Sequence, residues 1–212
     1  MRIMVAKLTY FAMMGLGEPI RLIFAATNIE FEDIRIGKEE WQKLKPTLKL
    51  PHLPMLEMDG KTIFQAIAIC RYLARKNGLC GSSEDEALDI DVTVDTLEDM
   101  RKKTVVHYYQ PDSEARTNGL KEAINVTIPS YLKIFDKQLE ENKGYLVAGK
   151  FTWADILFLS HTDYLSYLLL LDILVNFPNL KKYREKISDL PGIKEYLQKR
   201  PPHPGDCRVF FF

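Results

Sequence analysis

Tyr10 is the residue of this sequence that is best placed to act on a ligand. It ends an apolar stretch, IMVAKLTY at residues 3–10, which predicts a buried strand, and the glycine-containing segment FAMMGLG follows it. Because ligands of α/β proteins bind at the carboxyl ends of strands, a phenolic O–H here could donate a hydrogen bond to one. A partly buried tyrosine with a satisfied hydroxyl would give the same pattern, and position alone does not separate the two.

Two further pairs of residues could hold a peptide-like ligand. Trp41 and Lys45, four apart in EEWQKLKP, could present an indole N–H and an ammonium to a carboxylate, although a solvated helical face has the same spacing. In LPHLPML, a cis peptide bond before Pro54 would turn the backbone of Leu53 outward to pair with an extended peptide. Most X-Pro bonds are trans, so the sequence leaves this point open.

The stretch DGKTIFQAIAICRYLARKNG, residues 59–78, predicts a helix that begins without a cap. Its apolar face has helical spacing: Ala66, Ile69, Cys70, Leu73 and Ala74. Where Ser, Thr, Asp or Asn would accept hydrogen bonds from the first backbone N–H groups, the sequence has Gln65-Ala66. Another acceptor must therefore satisfy these donors.

Composition and missing motifs exclude several classes of function. The 212 residues are 46% hydrophobic and 27% charged, and 29 basic residues balance 29 acidic ones, which argues against a dedicated binder of nucleic acid or membrane surfaces. No GxSxG, P-loop or complete GxGxxG motif occurs, and four dispersed histidines and three cysteines show no metal-ligand spacing. We expect no metal. The odd cysteine count and the absence of a signal-peptide pattern predict a reducing, cytoplasmic location.

The order of predicted elements gives two domains. Residues 1–78 read as strand, helix, strand, a hairpin turning at Asp59-Gly60, and a helix; a βαβ unit followed by ββα is the thioredoxin-like arrangement. Residues 84–203 read as helices alone, at 84–109, 115–141, from a Thr152/Asp155 capping box onward, and near 179–187 and 191–198. On the first of these, Asp95, Glu98 and Asp99 predict a solvated acidic face. Residues 204–212 form a tail of unknown structure.

Taken together, these segments resemble the cytosolic glutathione transferases, most closely the arthropod sigma class. The resemblance runs to about residue 202 and rests on KLTYF, GLGEPIRLIFA, FEDIRI, EEWQKLKP, LPMLEMDGK, AICRYLARKNGL, DIDVTVDTLEDMR, YLVAGKFTWAD and KRPP. It implies a thioredoxin-like domain that binds glutathione, an all-helical C-terminal domain and a two-fold homodimer.

The resemblance also implies roles for the residues noted above. Tyr10 matches the hydroxyl that donates a hydrogen bond to the glutathione sulfur, and Trp41 and Lys45 match residues that hold the glycine carboxylate. Leu53, before a cis-Pro54, matches the backbone partner of the cysteinyl unit.

At the uncapped helix the resemblance supplies the missing acceptor, the γ-glutamyl carboxylate of glutathione. Gln65 matches a γ-glutamyl contact, and Asp99 resembles the acid that reaches the neighbouring subunit's γ-glutamyl amine. The family normally has Gln-Ser here, whereas this chain has Ala66, so one hydroxyl contact to the carboxylate is missing.

The second-substrate pocket is expected to draw on both domains. Its lining by resemblance would come from Met13, Met14, Leu16, Thr104, Val105 and Tyr108. Vertebrate prostaglandin D synthases of this class carry an arginine where this chain has Leu16, which disfavours that activity.

The expected function is conjugation of glutathione to hydrophobic electrophiles, with possible reduction of lipid hydroperoxides. The alternatives are a noncatalytic, S-crystallin-like member of the fold, which Ala66 favours, and a prostaglandin isomerase.

Overall fold

The computed structural model describes residues 5–210, which form two compact units. The first comprises residues 5–77 together with 190–210, and the second comprises residues 78–189. The first unit is therefore assembled from two separate parts of the chain.

A four-stranded mixed sheet forms the centre of the first unit. Strand β1 (Ala6–Phe11), helix α1 (Glu18–Ala26) and strand β2 (Phe31–Ile36) make a parallel βαβ unit, and β3 (Met55–Met58) and β4 (Lys61–Phe64) complete the order β2-β1-β3-β4. The predicted thioredoxin-like arrangement is thus confirmed, while residues 3 and 4 of the predicted first strand lie outside the described residues.

Two helices and a tight turn complete this part of the chain. Helix α2 spans Lys38–Leu44, and α3 spans Ala66–Lys76. Asp59 and Gly60, with φ angles of 53° and 73°, form the predicted tight turn between β3 and β4. The buried residues of α3 are the five that the helical period predicts, Ala66, Ile69, Cys70, Leu73 and Ala74.

The second unit is entirely helical within the described residues. Helix α4 spans Glu84–Tyr108, α5 Glu114–Glu122, α6 Ile128–Glu141, α7 Trp153–Leu169 and α8 Pro178–Ser188. The predicted single helix over 115–141 is divided between α5 and α6 by a π-helical turn, Ala123–Thr127. The cause is Pro129, which has no N–H and therefore interrupts the hydrogen-bond ladder near the start of α6.

Helix α7 begins at the predicted capping box. The backbone N–H of Thr152 donates to Oδ2 of Asp155 at 2.6 Å, and both residues are fully buried. Burial raises the pKa of the Asp155 carboxyl, although hydrogen bonds from Tyr183 and Thr152 oppose that effect.

Among residues 5–210, no helix has both the length and the apolar composition needed to cross a bilayer.

Glu98 on α4 differs from its prediction as part of a solvated acidic face. Its side chain is 4% exposed and forms two hydrogen bonds with Arg101, at 2.9 and 2.8 Å. His161 of α7, also fully buried, lies 2.8 Å from the same carboxylate. Burial lowers the pKa of His161, whereas hydrogen bonds from His161 and Arg101 outweigh burial and hold the pKa of Glu98 well below its usual range.

Helix α9 (Ile193–Lys199) returns the chain to the first unit, where it packs against α1. A single 3₁₀ turn, Cys207–Phe210, follows it. The side chain of Cys207 is fully buried.

Candidate functional site

Tyr10 lies near the end of β1 with its ring packed inside the first unit. Its side chain is 4% exposed, and its hydroxyl oxygen accepts a hydrogen bond from the backbone N–H of Leu16 at 3.0 Å. A hydroxyl that accepts one hydrogen bond is polarised and becomes a better donor in the next. The segment after β1 therefore fixes the position of the phenol and strengthens its O–H as a donor.

Two glycines in this segment make room for the tyrosine. A Cβ atom on Gly15 would lie 2.5 Å from the Tyr10 hydroxyl, and Gly15 has a φ of +41°. A Cβ atom on Gly17 would lie 2.6 Å from the Tyr10 ring. The GLG sequence thus lets the backbone pass against the phenol.

Arg21 of α1 holds the same segment from inside. Its fully buried guanidinium donates to the carbonyl of Met13 at 2.8 Å and to that of Phe11 at 3.4 Å, and its Nε donates to Asp33 at 3.0 Å. Burial opposes the charge, but Asp33 and Glu18 raise the pKa of Arg21 above its ordinary value. The guanidinium carbon also lies 5.8 Å from the centre of the Tyr10 ring.

Glu18 connects this arginine to the C-terminal part of the first unit. Its carboxylate accepts hydrogen bonds from Arg200 at 2.9 Å, from the Tyr196 hydroxyl at 3.0 Å and from Arg21 at 3.3 Å. The carboxylate is fully buried, and two of these three partners are arginines. Removing either arginine would leave the buried negative charge less completely compensated, which is costly.

A cleft of about 500 Å³ is lined in part by Tyr10, and its volume is within the range of small-ligand sites. Five residues expected at the site line it: Tyr10, Leu16, Trp41, Lys45 and Leu53. The remaining lining residues are Phe11, Lys38, Gln42, Pro51, His52 and Phe210. The lining thus includes two lysines and, among the described residues, no acid, a composition suited to an anionic ligand.

The start of α3 lies at the same end of the sheet as Tyr10. Thr9 of β1 pairs with Met55 of β3, which pairs with Phe64 of β4. The residues next to these three along the chain, Tyr10, Pro54 and Gln65, therefore lie at the same end of the sheet. The Leu53-Pro54 peptide bond is cis, as the resemblance implied. Pro54, Gln65 and Ala66 are not among the residues that line the cleft described above.

The N-terminus of α3 has the predicted open end. Gln65 has a φ of 74° and no side chain caps the helix. The first hydrogen bond of the helix runs from Ile69 N–H to the Gln65 carbonyl at 2.9 Å, so the N–H groups of residues 66–68 have no acceptor within α3. These donors make the helix terminus a potential anion site.

The remaining expected site residues are distributed between the two units, and their roles stay predictions. Met13 and Met14 are 1% and 2% exposed in the first unit. On α4 of the second unit, Thr104 and Tyr108 are buried, Val105 is half-buried and Asp99 is exposed.

Sequence reasoning missed the residues that position the phenol. Glu18 and Arg21, three apart in GEPIR, have the spacing of an ion pair on one helix, and that signal was available. Their burial and their hydrogen bonds to the segment after β1 depend on tertiary contacts, which the sequence did not indicate.

Comparison with known proteins identifies the family. Residues 6–75 match the glutathione S-transferase N-terminal domain, and residues 98–200 match the glutathione S-transferase C-terminal domain. The chain belongs to the glutathione S-transferase family.

Several relatives are similar over nearly the whole chain. A glutathione S-transferase of Anopheles gambiae is 43% identical over 195 residues, covering 92% of this chain and 96% of that protein. Glutathione S-transferase S1 of Drosophila melanogaster is 40% identical over 194 residues, covering 92% and 78%. A structure described as prostaglandin synthase D of Nilaparvata lugens has a TM-score of 0.87 at 38% identity, covering 93% of this chain and all of that one.

Proposed function

We propose that this protein is a sigma-class glutathione transferase that joins the thiolate of glutathione to hydrophobic electrophiles. The observation that carries the proposal is Tyr10, whose hydroxyl is fixed by Leu16 N–H and which lines a cleft that contains two lysines and, within residues 5–210, no acid. A phenol held in this way can donate to a ligand sulfur, while the lysines attract the ligand's carboxylates.

Glutathione is a tripeptide with two carboxylates, and the first unit offers a place for each. We assign the glycine carboxylate to Trp41 and Lys45 in the cleft, with Lys38 and His52 nearby, and the cysteinyl backbone to Leu53. The γ-glutamyl carboxylate is assigned to the open N-terminus of α3, at Gln65-Ala66.

Tyr10 stabilises the thiolate, but this effect accounts for little of the rate. Lowering a thiol pKa from about 8.5 to about 6.5 raises the thiolate fraction at pH 7 about 25-fold. The lower basicity reduces nucleophilicity about 8-fold at a Brønsted slope near 0.45, which leaves about 3-fold. Orientation of thiolate and electrophile must therefore supply most of the acceleration, and the packing around Tyr10 serves that purpose.

The proposed assembly is a homodimer. On α4, Leu88 and Val92 are 63% and 55% exposed, and Asp99 shares their helical face. An exposed apolar stripe of this kind favours contact with a second copy, and Asp99 would then reach the partner's γ-glutamyl amine.

A solution measurement tests the dimer. Replacing both Leu88→Asp and Val92→Asp should give monomers in light scattering after gel filtration, whereas Val126→Asp, an equally exposed valine on the π-helical turn, should not. Monomeric parent protein at micromolar concentration would contradict this assembly.

The decisive test of the chemistry is Tyr10→Phe, with Tyr72→Phe as the matched control. The hydroxyl of Tyr72 donates a solvent-exposed hydrogen bond of 3.5 Å to the Asp59 carboxylate, outside the cleft. Loss of a hydrogen bond to a charged sulfur, worth about 1.5–3 kcal/mol, should raise the pKa of the bound thiol by about 1–2 units. Ultraviolet absorbance of the thiolate against pH measures that shift, and turnover of an aryl halide measures kcat/KM.

The expected result is a large fall in kcat/KM for Tyr10→Phe alone. Equal thiol pKa values in the two variants would refute the role of Tyr10.

We place the protein in the cytoplasm and assign it a detoxifying role, with reduction of lipid hydroperoxides as an additional activity, as parts of the same proposal.

Two other functions remain candidates on specific grounds. A noncatalytic, S-crystallin-like role is favoured by Ala66 at the open helix end, and calorimetry with millimolar glutathione would reveal it as an absence of heat. A prostaglandin isomerase is favoured by similarity to the Nilaparvata lugens protein, whereas Leu16 in the cleft, in place of arginine, disfavours it. Turnover of a prostaglandin substrate by the parent protein discriminates the isomerase from the transferase.

A further inference from the structure

Helix α9 ends with a tyrosine and an arginine that both reach Glu18 of α1. Tyr196 and Arg200 are four residues apart, the spacing that brings two side chains to the same side of a helix. Pro201 follows, and a residue before proline avoids helical backbone angles. Arg200 accordingly has φ and ψ of −59° and 138°, and its N–H donates to the Tyr196 carbonyl at 2.8 Å. The sequence of α9 thus fixes where this phenol and this guanidinium lie.

Both side chains donate hydrogen bonds to the Glu18 carboxylate. Nη1 of Arg200 donates to Oε1 at 2.9 Å, and the Tyr196 hydroxyl donates to Oε2 at 3.0 Å. Burial, followed by the charge of Glu18, raises the pKa of Tyr196 well above its ordinary value, so the hydroxyl stays protonated and remains a donor. Because Glu18 is fully buried, the position of its carboxylate depends on these protein donors.

The contacts continue from Glu18 into residues 11–17, the segment between β1 and α1. Glu18 also accepts a hydrogen bond from Arg21 at 3.3 Å, and Arg21 donates to two carbonyl oxygens of the segment, at 2.8 and 3.4 Å. Arg200 contacts the segment directly as well, since its Nη1 lies 3.8 Å from Sδ of Met14. The end of α9 therefore holds this segment both through Glu18 and by its own side chain.

Leu16 belongs to this segment and connects it to Tyr10. Its N–H donates to the Tyr10 hydroxyl at 3.0 Å. A displacement of the segment would change the length and angle of this hydrogen bond, which weakens steeply as its geometry departs from the ideal. Polar contacts and short stretches of backbone thus join Arg200 and Tyr196 to the phenol.

We propose that Arg200 and Tyr196 are positioning residues for the reaction, which act through Glu18 to fix the segment whose Leu16 N–H orients the Tyr10 hydroxyl. The inference rests on the proposed function, since it requires the thiol of glutathione to bind at Tyr10. Among the described residues, neither Arg200 nor Tyr196 is part of the lining of the cleft. Their loss should therefore change the ionisation of the bound thiol and leave the affinity for the rest of glutathione unchanged.

Hydrogen exchange of the Leu16 amide, followed by NMR without ligand, tests the structural part of the inference. Arg200→Met and Arg200→Lys are compared with Arg184→Met. The Arg184 side chain is 19% exposed, against 21% for Arg200, and its partners Asp163 and Asp172 belong to the second unit. Relative to the amides of β1 in the same protein, Leu16 should exchange about 5- to 10-fold faster in Arg200→Met. Arg184→Met should match the parent protein, and Arg200→Lys, which keeps the positive charge, should be intermediate.

The bound thiol and S-methylglutathione, which has no thiol to ionise, test the chemical part. In Arg200→Met, the pKa of the bound thiol, read from ultraviolet absorbance against pH, should rise by about 0.5–1 unit because Tyr10 donates a weaker hydrogen bond. The kcat for an aryl halide should fall with it, whereas the Kd of S-methylglutathione should stay within about twofold of the parent value. Tyr196→Phe takes one donor from Glu18 without removing a charge, so it should give a smaller shift in the same direction.

The two measurements together decide the inference. Leu16 exchange or a thiol pKa in Arg200→Met equal to that in Arg184→Met would overturn it, and thiolate absorbance in the parent protein would leave the proposed function intact. Weaker binding of S-methylglutathione with an unchanged thiol pKa would also overturn it, since that result shows a structural role alone. If Arg200→Met does not fold, an unchanged thiol pKa in folded Tyr196→Phe would overturn it. A parent protein that binds neither ligand would overturn the proposed function and this inference with it.

Discussion

Restoring a hydroxyl at the start of α3, with Ala66→Ser, tests how this protein would hold the γ-glutamyl carboxylate. The side chain of Ala66 is 5% exposed, and its backbone N–H is one of those without an acceptor inside the helix. A serine there would add an O–H donor beside backbone donors that already point out of the helix.

The magnitude follows from the charge of the acceptor. A hydrogen bond to a charged group contributes about 1.5–3 kcal/mol, which corresponds to ~10- to 150-fold in Kd. In the parent protein, a water molecule at the position of the hydroxyl would supply part of this binding free energy. The gain in affinity expected for Ala66→Ser is therefore near the lower limit, about tenfold.

Isothermal titration with glutathione measures the change, with Ala68→Ser as the control. Ala68 belongs to the same first turn but is exposed, so its hydroxyl should leave Kd unchanged and reveal any general cost of serine in this helix. An analogue with the γ-glutamyl carboxylate amidated should lose the gain.

Equal Kd values for the parent protein and Ala66→Ser would refute the reasoning. They would mean that backbone donors and their neighbours satisfy the carboxylate without a side-chain hydroxyl. A gain that persists with the amidated analogue would place the new hydroxyl against another part of the ligand.

Three further predictions concern packing and charge. Gly17→Ala places a Cβ 2.6 Å from the Tyr10 ring, so we expect overpacking to cost about 1–3 kcal/mol of stability and to lower the melting temperature in calorimetry. The same energy, if it displaces the phenol from its catalytic position, should lower kcat/KM about 5- to 150-fold. Glu98→Gln leaves the buried Arg101 guanidinium without its carboxylate and should lower the free energy of unfolding in urea by about 3 kcal/mol, whereas the exposed Asp95→Asn should change it by under about 0.5 kcal/mol. Burial, followed by the charge of a neighbouring arginine, lowers the pKa of His203 from 6.5 to about 4, so the unfolded chain takes up a proton first on acidification. Stability should therefore fall between about pH 6.5 and about pH 4, and His203→Gln should remove roughly 1 kcal/mol of that fall, since water screens this half-buried ring. A variant with the same pH profile of unfolding as the parent protein would contradict the assignment.

Local pattern was sufficient for most of the fold. The period of α3 identified its five buried residues, and Asp59-Gly60 identified the turn between β3 and β4, because both depend on neighbours in sequence. The prediction of one helix over 115–141 was wrong at the break before α6, although the signal was local, since Pro129 cannot continue the hydrogen-bond ladder.

Features that depend on distant partners were beyond the sequence. Glu98 looked like a surface acid because its partner His161 lies 63 residues further along the chain. Tyr10 was placed correctly by the end of a strand, but the approach of Gly15 and Gly17 to its ring is a tertiary contact that no spacing rule indicates. The cis Leu53-Pro54 bond was implied only by the resemblance, as most such bonds are trans.

The bonds from Glu18 to Arg200 and Tyr196 have a consequence for biosynthesis. The two groups that anchor the segment around Tyr10 lie 178 and 182 residues further along the chain than Glu18, so they leave the ribosome much later than it does. The sheet can form early, but Glu18 acquires its full set of partners only after α9 has been synthesised. A chain terminated before α9 would therefore contain every strand of the sheet and still hold its phenol loosely, so that only a product that includes α9 acquires the finished site.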